Sequence, residues 1–316
     1  MKREILSGPG NVIEAYEDRP YQYDAWEISP YYRRKQYKLP APEVTVTEKG
    51  PVRICIRQSR RWLNSRIDQE ICLYADSRRI DFHTLIDWQD EHIMLKAAFP
   101  VDIHADTAVY EIQFGTTVRP THSNTSWDAE RFETCAQRFA DLAEPDYGAA
   151  LLNDCKYGYD IHDQVMRLTL LRSPSFPNAV DKGHHEFTYS FMPHKGDWRE
   201  AEIQKEAYDL NNPLFAVIGK GSADESMPWC KMPLLSCEND GIFVETVKPA
   251  EDGKGLIARI YEGFGCRRHA VFHTACCTEV SECDMMEKNI ECLTVKEGCF
   301  ALDFHPYEIK TVRMQK

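Results

Sequence analysis

One loop of this 316-residue chain concentrates side-chain types that could bind a sugar. Residues 115–128 (GTTVRPTHSNTSWD) follow a strand-like run and contain Arg119, His122, Asn124, Trp127 and Asp128. An indole can stack on the face of a sugar ring, while guanidinium, amide and carboxylate groups bind hydroxyl groups through hydrogen bonds. The alternative interpretation is a structural loop held by its own Asx and Ser/Thr turns, with Trp127 as a buried plug and Asp128 as a turn-former.

A second loop, residues 172–185 (RSPSFPNAVDKGHH), offers a similar mixture after another strand-like run. Two prolines restrict its backbone, and we select Arg172, Asp181 and His185 as further candidates for contact with a sugar. Arg172 could instead anchor a salt bridge. The pair His184-His185 could bind a metal, but two such residues without a third ligand are more typical of surface or core histidines. No metal-binding residue is therefore assigned.

The sequence contains none of the short motifs that mark the common catalytic and nucleotide-binding sites. It has no G-x-G-x-x-G or Walker loop, no G-x-S-x-G turn and no H-E-x-x-H pair. Its 50 Asp and Glu residues offer many carboxylate pairs. A glycosidase pair is defined by a separation of about 5–5.5 Å or about 6.5–9.5 Å, which only the fold sets. No catalytic residue is therefore assigned.

The overall charge and the distribution of apolar residues exclude two classes of partner. The formal net charge of −12 argues against binding to duplex nucleic acid, which needs clustered Lys and Arg. No segment reaches the roughly 18 consecutive apolar residues that a membrane span needs, and the first ten residues (MKREILSGPG) lack the apolar core of a secretory signal. A cytoplasmic location is the resulting prediction.

The cysteines favour the same location. Twelve cysteines without a secretory signal predict free thiols in a reducing compartment. Zinc binding is the alternative for the cluster near the C-terminus, but no C-x-x-C pair occurs among its members, which are Cys276, Cys277, Cys283, Cys292 and Cys299. We interpret these residues as small buried hydrophobic side chains.

Regular alternation of apolar and polar residues predicts β-strands along most of the chain. In residues 186–191, for example, Phe187, Tyr189 and Phe191 alternate with polar neighbours. The pattern recurs at 52–57, 66–74, 79–86, 93–99, 109–114, 165–171, 242–247, 256–261, 290–295, 299–304 and 308–314. Repeated short strands with turns between them predict a β-sandwich rather than alternating strands and helices.

One helix is predicted at residues 197–210 (DWREAEIQKEAYDL), with Asp197 as its N-cap and Asn211-Asn212-Pro213 as its stop. The turn-rich residues 219–233 come next and show no strand pattern. We interpret the helix and this stretch as the boundary between a large sandwich, residues 1–212, and a smaller one, residues 213–316.

Longer runs of the sequence resemble the family 38 glycoside hydrolases, specifically the cytosolic and bacterial α-mannosidases. The resemblance rests on Arg119-Pro120-Thr121-His122, Asn124-Thr125-Ser126-Trp127-Asp128, Leu170-Leu171-Arg172-Ser173-Pro174 and His185-Glu186-Phe187-Thr188-Tyr189. Residues 151–158 (LLNDCKYG), 192–196 (MPHKG), 23–28 (YDAWEI), 256–262 (LIARIYE) and 304–311 (FHPYEIKT) extend it. It therefore covers nearly the whole chain, in order, and corresponds to the C-terminal part of the family.

The resemblance implies both a fold and a function. The fold is all-β, a galactose-mutarotase-like supersandwich followed by a smaller β-sandwich. The activity is that of a retaining exo-α-mannosidase, with an aspartate nucleophile, an aspartate acid/base and a zinc ion. The family carries these groups in N-terminal domains that this sequence does not include, so the chain alone is expected to be inactive and to hold no cofactor.

The resemblance also implies partners. The expected ones are a mannose-containing oligosaccharide and the N-terminal catalytic domain, whose absence leaves an apolar face through which a homodimer could form. The two loops are the candidates for the rim of the mannose site. Two alternatives are a stand-alone carbohydrate-binding sandwich and, by fold analogy only, a mutarotase or epimerase.

Overall fold

The structure is a computed structural model that describes residues 3–177, 181–215, 217, 234–274 and 277–316. The chain divides into two compact units. The first contains the residues up to Glu111 together with Thr117–Leu214, and the second contains Ile112–Thr116 and the residues from Phe215 onward. The turn-rich stretch 219–233, predicted as part of the boundary, lies outside the described residues.

The larger unit is built from antiparallel strands. In chain order these are β1 (Val12–Glu17), β2 (Gln36–Tyr37), β3 (Glu43–Lys49), β4 (Arg53–Trp62), β5 (Ser65–Tyr74), β6 (Ile80–Trp88), β7 (Ile93–Pro100), β8 (Thr107–Ile112), β9 (Gly115–Pro120), β10 (Thr134–Cys135), β11 (Phe139–Ala143), β12 (Tyr147–Asn153), β13 (Gly158–His162), β14 (Val165–Arg172) and β15 (Gly183–Lys195). They form a six-stranded sheet in the order β10-β13-β14-β7-β1-β2 and a nine-stranded sheet in the order β3-β4-β5-β6-β15-β12-β11-β8-β9.

The core of the larger unit lies between these two sheets. Phe99 on β7 stacks against Phe191 on β15, with ring centroids 4.8 Å apart and nearly parallel planes. Phe187, Tyr189 and Phe191 are all buried, as the alternation predicts. Aromatic and aliphatic side chains from both inner faces join one continuous cluster, which is the packing of a β-sandwich.

A disulfide between Cys55 and Cys72 contradicts the prediction of free thiols at these two positions. The residues lie directly opposite each other on β4 and β5, with Cα atoms 4.3 Å apart, which is close enough for a bridge once the register is set. Cys55 is buried, whereas its neighbour Ile54 is half-exposed. Sequence separation alone cannot reveal such a pairing.

Seven other cysteines of the described residues are free thiols: Cys135, Cys155, Cys237, Cys266, Cys283, Cys292 and Cys299. Within the C-terminal cluster, Cys277 and Cys283 are buried as predicted, Cys299 is half-buried and Cys292 is exposed. The burial prediction is therefore wrong for Cys292, which points outward from an edge strand, and Cys276 lies outside the described residues.

The smaller unit is a second sandwich. Its strands are β16 (Leu235–Cys237), β17 (Ile242–Pro249), β18 (Leu256–Glu262), β19 (Arg268–Thr274), β20 (Glu279–Cys283), β21 (Asn289–Leu293), β22 (Cys299–Phe304) and β23 (Ile309–Gln315). They form sheets in the orders β16-β19-β22 and β17-β18-β23-β20-β21, and a separate apolar core lies within the unit. The predicted all-β class, with a large sandwich followed by a smaller one, is confirmed.

The turn between β8 and β9 belongs to the smaller unit. The alternation predicts a strand through Phe114, but this residue has a φ of 58° and occupies the turn. Its ring packs edge-on against Tyr261, with centroids 5.3 Å apart. The hydroxyl groups of Thr116 and Tyr307 are 2.8 Å apart, so tertiary contacts stabilise a turn that the strand pattern does not show.

The described helices are short: a 3₁₀ helix at Pro30–Arg34, α1 at Ser126–Ala129 and α2 at Ile203–Asn211. The prediction of a helix from Asp197 is wrong at its start. The Asp197 carboxylate accepts hydrogen bonds from the backbone N–H groups of Arg199 and Glu200 and forms a separate turn. Glu202 then adopts a left-handed φ of 57° before α2 begins. None of the described helices is long and apolar enough to cross a membrane.

Candidate functional site

A cleft of about 730 Å³ opens on the larger unit, a volume within the range of about 300–1,000 Å³ typical of small-molecule sites. It lies where the ends of several strands meet loops, and it is lined by Ala25, Ile28, Arg119, Glu130, Arg131, Glu133, Thr134, Cys135, Cys155, Lys156, Tyr157, Gly158, Thr169, Leu170, Leu171, Arg172, Pro174 and Asp181. Three of the eight predicted site residues therefore line one cleft: Arg119, Arg172 and Asp181.

Arg172 holds one wall of the cleft in place. Its Nε donates a hydrogen bond to Oδ2 of Asp18 at 2.7 Å, and its terminal nitrogens donate to the backbone carbonyls of Asp24, Ala25 and Glu27. Arg172 therefore anchors a salt bridge, which is the alternative interpretation given for it above. Because the anchored loop carries Ala25 and Ile28, Arg172 shapes the cleft as well as lining it.

Asp24 connects this loop to the second predicted loop. Its Oδ2 accepts hydrogen bonds from the backbone N–H groups of Ser175 and Phe176 at 2.7 and 3.1 Å. Burial acts to raise the pKa of Asp24, but these hydrogen bonds outweigh it and lower the pKa below its ordinary value. Two loops that are about 150 residues apart in sequence are thus fixed against each other.

The loop before the cleft forms the short helix α1. Thr125 and Asp128 make a reciprocal capping box, and the Thr125 hydroxyl lowers the pKa of Asp128. Asp128 therefore stabilises the start of this turn of helix, as the turn-forming interpretation predicts. Trp127 is 76% exposed, so the alternative interpretation as a buried plug is wrong: the capping box turns the indole outward.

Four predicted site residues of this loop do not line the cleft: His122, Asn124, Trp127 and Asp128. The Nδ1 of His122 lies 3.8 Å from Oδ2 of Asp128 and accepts a hydrogen bond from the backbone N–H of Asn124 at 3.4 Å. Asn124 and Trp127 are exposed. The residues that reach the cleft from this side are Glu130 and Arg131, immediately after α1.

The second predicted loop contributes Asp181 to the cleft, while residues 178–180 lie outside the described part of the chain. Asp181 has a φ of 68°, and its backbone carbonyl lies 2.8 Å from Nε2 of His185. His185 therefore braces the turn behind Asp181 and does not itself line the cleft.

A buried ionic cluster beneath the cleft was missed by the sequence analysis. Lys96 is completely buried and forms ion pairs with Glu133 and, at 3.7 Å, with Asp160. Arg33 pairs with Asp160 at 3.0 Å, and His162 Nδ1 lies 2.8 Å from its other carboxylate oxygen. The available signal was a lysine inside the otherwise apolar run IMLKAAF, where a charge is buried only if it is paired.

The electrostatics of this cluster follow from its cations. Burial acts to raise the pKa of Asp160, but the hydrogen bond from His162 and the charges of Lys96, Arg33 and Arg167 together lower it to about 2. Glu133, which lines the cleft, is held by Lys96 from below. The carboxylate that Glu133 contributes to the cleft is therefore already paired with a cation.

The zinc that the family resemblance implies does not fit the residues present. In the part of the chain that the structure describes, no group of three or more His, Cys, Asp and Glu side chains lies close enough to hold a metal ion. Among the described residues, two histidine–carboxylate pairs of the sheets have both side chains buried, His194 with Asp141 at 2.6 Å and His162 with Asp160 at 2.8 Å. Both pairs are buried and neither lines the cleft, so the arrangement that a mutarotase would need is not found there.

Two protein-family models match the chain. The model described as "Glycosyl hydrolases family 38 C-terminal domain" matches residues 1–180. The chain belongs to glycosyl hydrolase family 38. A second model, "Glycosyl hydrolases family 38 C-terminal beta sandwich domain", matches residues 241–312. The family 38 chain is thus matched by C-terminal models in both of its sandwiches.

The relatives of this family 38 chain include α-mannosidases. It is 37% identical to alpha-mannosidase 2C1 of Mus musculus over 96% of this chain and 30% of that protein. It is 35% identical to alpha-mannosidase G of Dictyostelium discoideum over 98% of this chain and 30% of that protein. The chain therefore spans about 30% of the length of these relatives.

A solved structure shows the same fold. The crystal structure of an alpha-mannosidase from Enterococcus faecalis V583 superposes with a TM-score of 0.73 at 16% identity, covering 96% of this chain and 38% of that one. In that protein, the matched fold is therefore one part of a longer polypeptide.

Proposed function

We propose that this chain forms the non-catalytic C-terminal β domains of a retaining exo-α-mannosidase. The observation that carries the proposal is the match to the C-terminal family models together with the 30% coverage of the α-mannosidase relatives. The catalytic aspartates and the zinc ion belong in this proposal to an N-terminal domain. The chain then supplies part of the rim of the mannose site and a docking face for that domain.

The cleft supports a role at the rim. Arg119, Asp181 and the exposed indole of Trp127, which lies on the loop leading to Glu130 and Arg131, offer the hydrogen-bonding and stacking groups that sugars use. His122, Asn124, Asp128 and His185 support the same loops in this proposal, and Arg172 positions the opposite wall. A mannose-containing oligosaccharide is the proposed ligand.

An uncovered apolar surface supports docking of the N-terminal domain. Val44, Val46, Ile54 and Leu73 are each between 50% and 57% exposed. They occupy neighbouring strands β3, β4 and β5, where Ile54 is the cross-strand neighbour of Leu73. Contiguous exposed apolar side chains of this kind mark interaction surfaces. A second copy of the chain would cover the same surface when the N-terminal domain is absent.

The proposed location is the cytoplasm. The free cysteines among the described residues support a reducing compartment, whereas the Cys55–Cys72 bridge does not. Counting thiols in protein isolated under alkylating conditions would test the location.

A chimera tests the function. The corresponding C-terminal region of mouse alpha-mannosidase 2C1 would be replaced by this chain, and hydrolysis of an aryl α-mannoside would be measured with zinc present. We expect no hydrolysis by the chain alone and hydrolysis by the chimera. Activity of the isolated chain would contradict the proposal, and so would a folded chimera without activity.

A stand-alone carbohydrate-binding module is the second candidate, because every described residue that lines the cleft belongs to the larger unit. It predicts that the isolated chain binds mannose with measurable affinity. Titration calorimetry with mannose separates the two candidates: saturable binding without any partner favours the binding module, and its absence favours the C-terminal domain of a larger enzyme.

A further inference from the structure

Three of the four cations that line the cleft lack a carboxylate within ion-pair distance in the described residues. Arg172 is fully engaged by Asp18 and by backbone carbonyls. The side chains of Arg119, Arg131 and Lys156 form no hydrogen bond or ion pair with an acceptor of the described chain. In a protein of net charge −12, unpaired cations gathered in one cleft require an explanation.

Arg119 gives the clearest evidence. Its guanidinium lies 5.5 Å from the centre of the Tyr110 ring, and its Nε is enclosed without a hydrogen-bond acceptor among the described residues. No carboxylate therefore neutralises this charge from behind. A half-buried cation without a counter-charge is costly, so the compensating anion must approach from the open side of the cleft.

The acidic residues of the cleft do not supply that anion. Glu133 is already paired with Lys96. Glu130 and Asp181 are exposed and form no ion pair with the three cations within the described chain. Lys156 instead places its Nζ 4.4 Å from the centre of the Phe187 ring, which leaves its charge available to a ligand.

We propose that the cleft is an anion-binding subsite in which Arg119, Arg131 and Lys156 bind a phosphate or carboxylate group carried by a sugar. Two guanidinium groups present paired donors that match the oxygens of such groups, and an ammonium adds a point charge. The volume of the cleft accommodates a monosaccharide. The sugar part of this inference rests on the proposed function, whereas the anion part does not.

Calorimetry on the full chain at about 0.15 M salt tests the subsite. The probes are mannose 6-phosphate, glucuronic acid, inorganic phosphate and mannose. We expect mannose 6-phosphate or glucuronic acid to bind more tightly than mannose by about 10-fold or more. The relative affinity of these two distinguishes phosphate from carboxylate as the preferred group. Equal affinity for mannose and both charged sugars would overturn the proposal.

Variants assign the effect to the cleft. Arg119→Gln and, independently, Lys156→Gln should each weaken binding of the charged sugar about 10-fold to 100-fold. Arg119→Lys should recover only part of the loss, since an ammonium lacks the paired donors. Arg57→Gln is the matched control: Arg57 lies on β4, its nearest carboxylate is Glu70 at 3.6 Å, and it is outside the cleft. An equal loss in the control would refute the assignment.

The chimera separates this proposal from the proposed function. If it hydrolyses mannosides but the isolated chain does not discriminate charged from neutral sugars, the subsite is refuted and the function stands. If the isolated chain binds the charged sugar through Arg119 but the chimera is inactive, the function fails and the subsite stands. If the active chimera has lost charged-sugar binding, the cations pair with the N-terminal domain and the subsite is refuted.

Discussion

Arg172 and Asp18 join the end of β14 to the residue that follows β1 through a hydrogen-bonded ion pair of 2.7 Å. The Asp18 side chain is 1% exposed and that of Arg172 is 14% exposed, so water solvates neither charge well. The same guanidinium also binds three backbone carbonyls of the loop that carries Ala25 and Ile28. One side chain thus joins β14, Asp18 and this wall of the cleft through four hydrogen bonds.

Substitution Arg172→Ala should destabilise the protein strongly. It leaves Asp18 buried without its cation, and breaking a buried pair in this way costs about 3–5 kcal/mol. Urea unfolding followed by circular dichroism measures the change. The exposed pair of Arg57 and Glu70 provides the comparison, because Arg57→Ala should cost less than about 1 kcal/mol. If Arg172→Ala and Arg57→Ala lowered the free energy of unfolding by similar amounts, the claim that the buried pair is the more costly one to break would be refuted.

Acid should weaken the buried cluster in a defined pH range. The pKa of Asp160 in the folded protein is about 2, below the ordinary value of 3.8. The contribution of ionised Asp160 to the free energy of unfolding is therefore fully present above about pH 4 and is lost as the pH falls from about 4 to about 2. The difference corresponds to roughly 2 kcal/mol.

Comparison of the free energy of unfolding at pH 5 and pH 2.5 tests this contribution. The wild-type chain should lose more stability on acidification than Asp160→Asn, which cannot titrate at this position. The variant is also expected to be less stable at pH 5, because it leaves Lys96 with one carboxylate partner fewer. Identical acid dependence of the two proteins would contradict the assignment to Asp160.

The sequence predicts the strands well and their contacts less well, for physical reasons. Alternation along residues 186–191 is set by local geometry, because successive side chains in a strand point to opposite faces. The register that places Cys55 opposite Cys72 is instead a property of two strands. Lys96 was missed because the alternation does not show that Tyr32 and Glu133 cover the outer face of its sheet.

The candidate site shows the same limit. The side-chain types of Arg119, Arg172 and Asp181 pointed to sugar chemistry, and the structure brings these three residues to one cleft. The cleft also contains Arg131 and Lys156, which lie between strands, where no apolar–polar alternation marks their positions. Their convergence is produced by the sheet order. The strand that follows Arg131, β10, pairs with β13, which follows Lys156, and β13 in turn pairs with β14, which ends at Arg172.

A close backbone approach makes Gly148→Ala a sensitive test of packing on the nine-stranded sheet. A Cβ at this position would lie 2.6 Å from Cβ of Ala143 and 2.6 Å from Cε1 of His194. His194 cannot yield easily, because it is buried and its Nε2 is hydrogen-bonded to Asp141 at 2.6 Å. We expect a loss of about 1–3 kcal/mol in the free energy of unfolding.

Gly50→Ala is the matched control for that substitution. Its Cβ would meet no atom closer than 3.6 Å, and the free energy of unfolding should change by less than about 1 kcal/mol. Thermal and urea unfolding of both variants give the comparison. If Gly148→Ala were as well tolerated as Gly50→Ala, the tight contact with His194 would be excluded.

Trp127 allows a role in sugar binding to be separated from a role in folding. Its indole is 76% exposed, so Trp127→Ala should change the free energy of unfolding by less than about 0.5 kcal/mol. Trp88 is completely buried, and Trp88→Ala should cost about 3–5 kcal/mol. In the chimera, Trp127→Ala should raise KM for an oligomannoside with little change in kcat, because stacking holds substrate and transition state equally. An unchanged KM would remove Trp127 from the mannose site and leave the capped helix α1 as a structural feature of the loop.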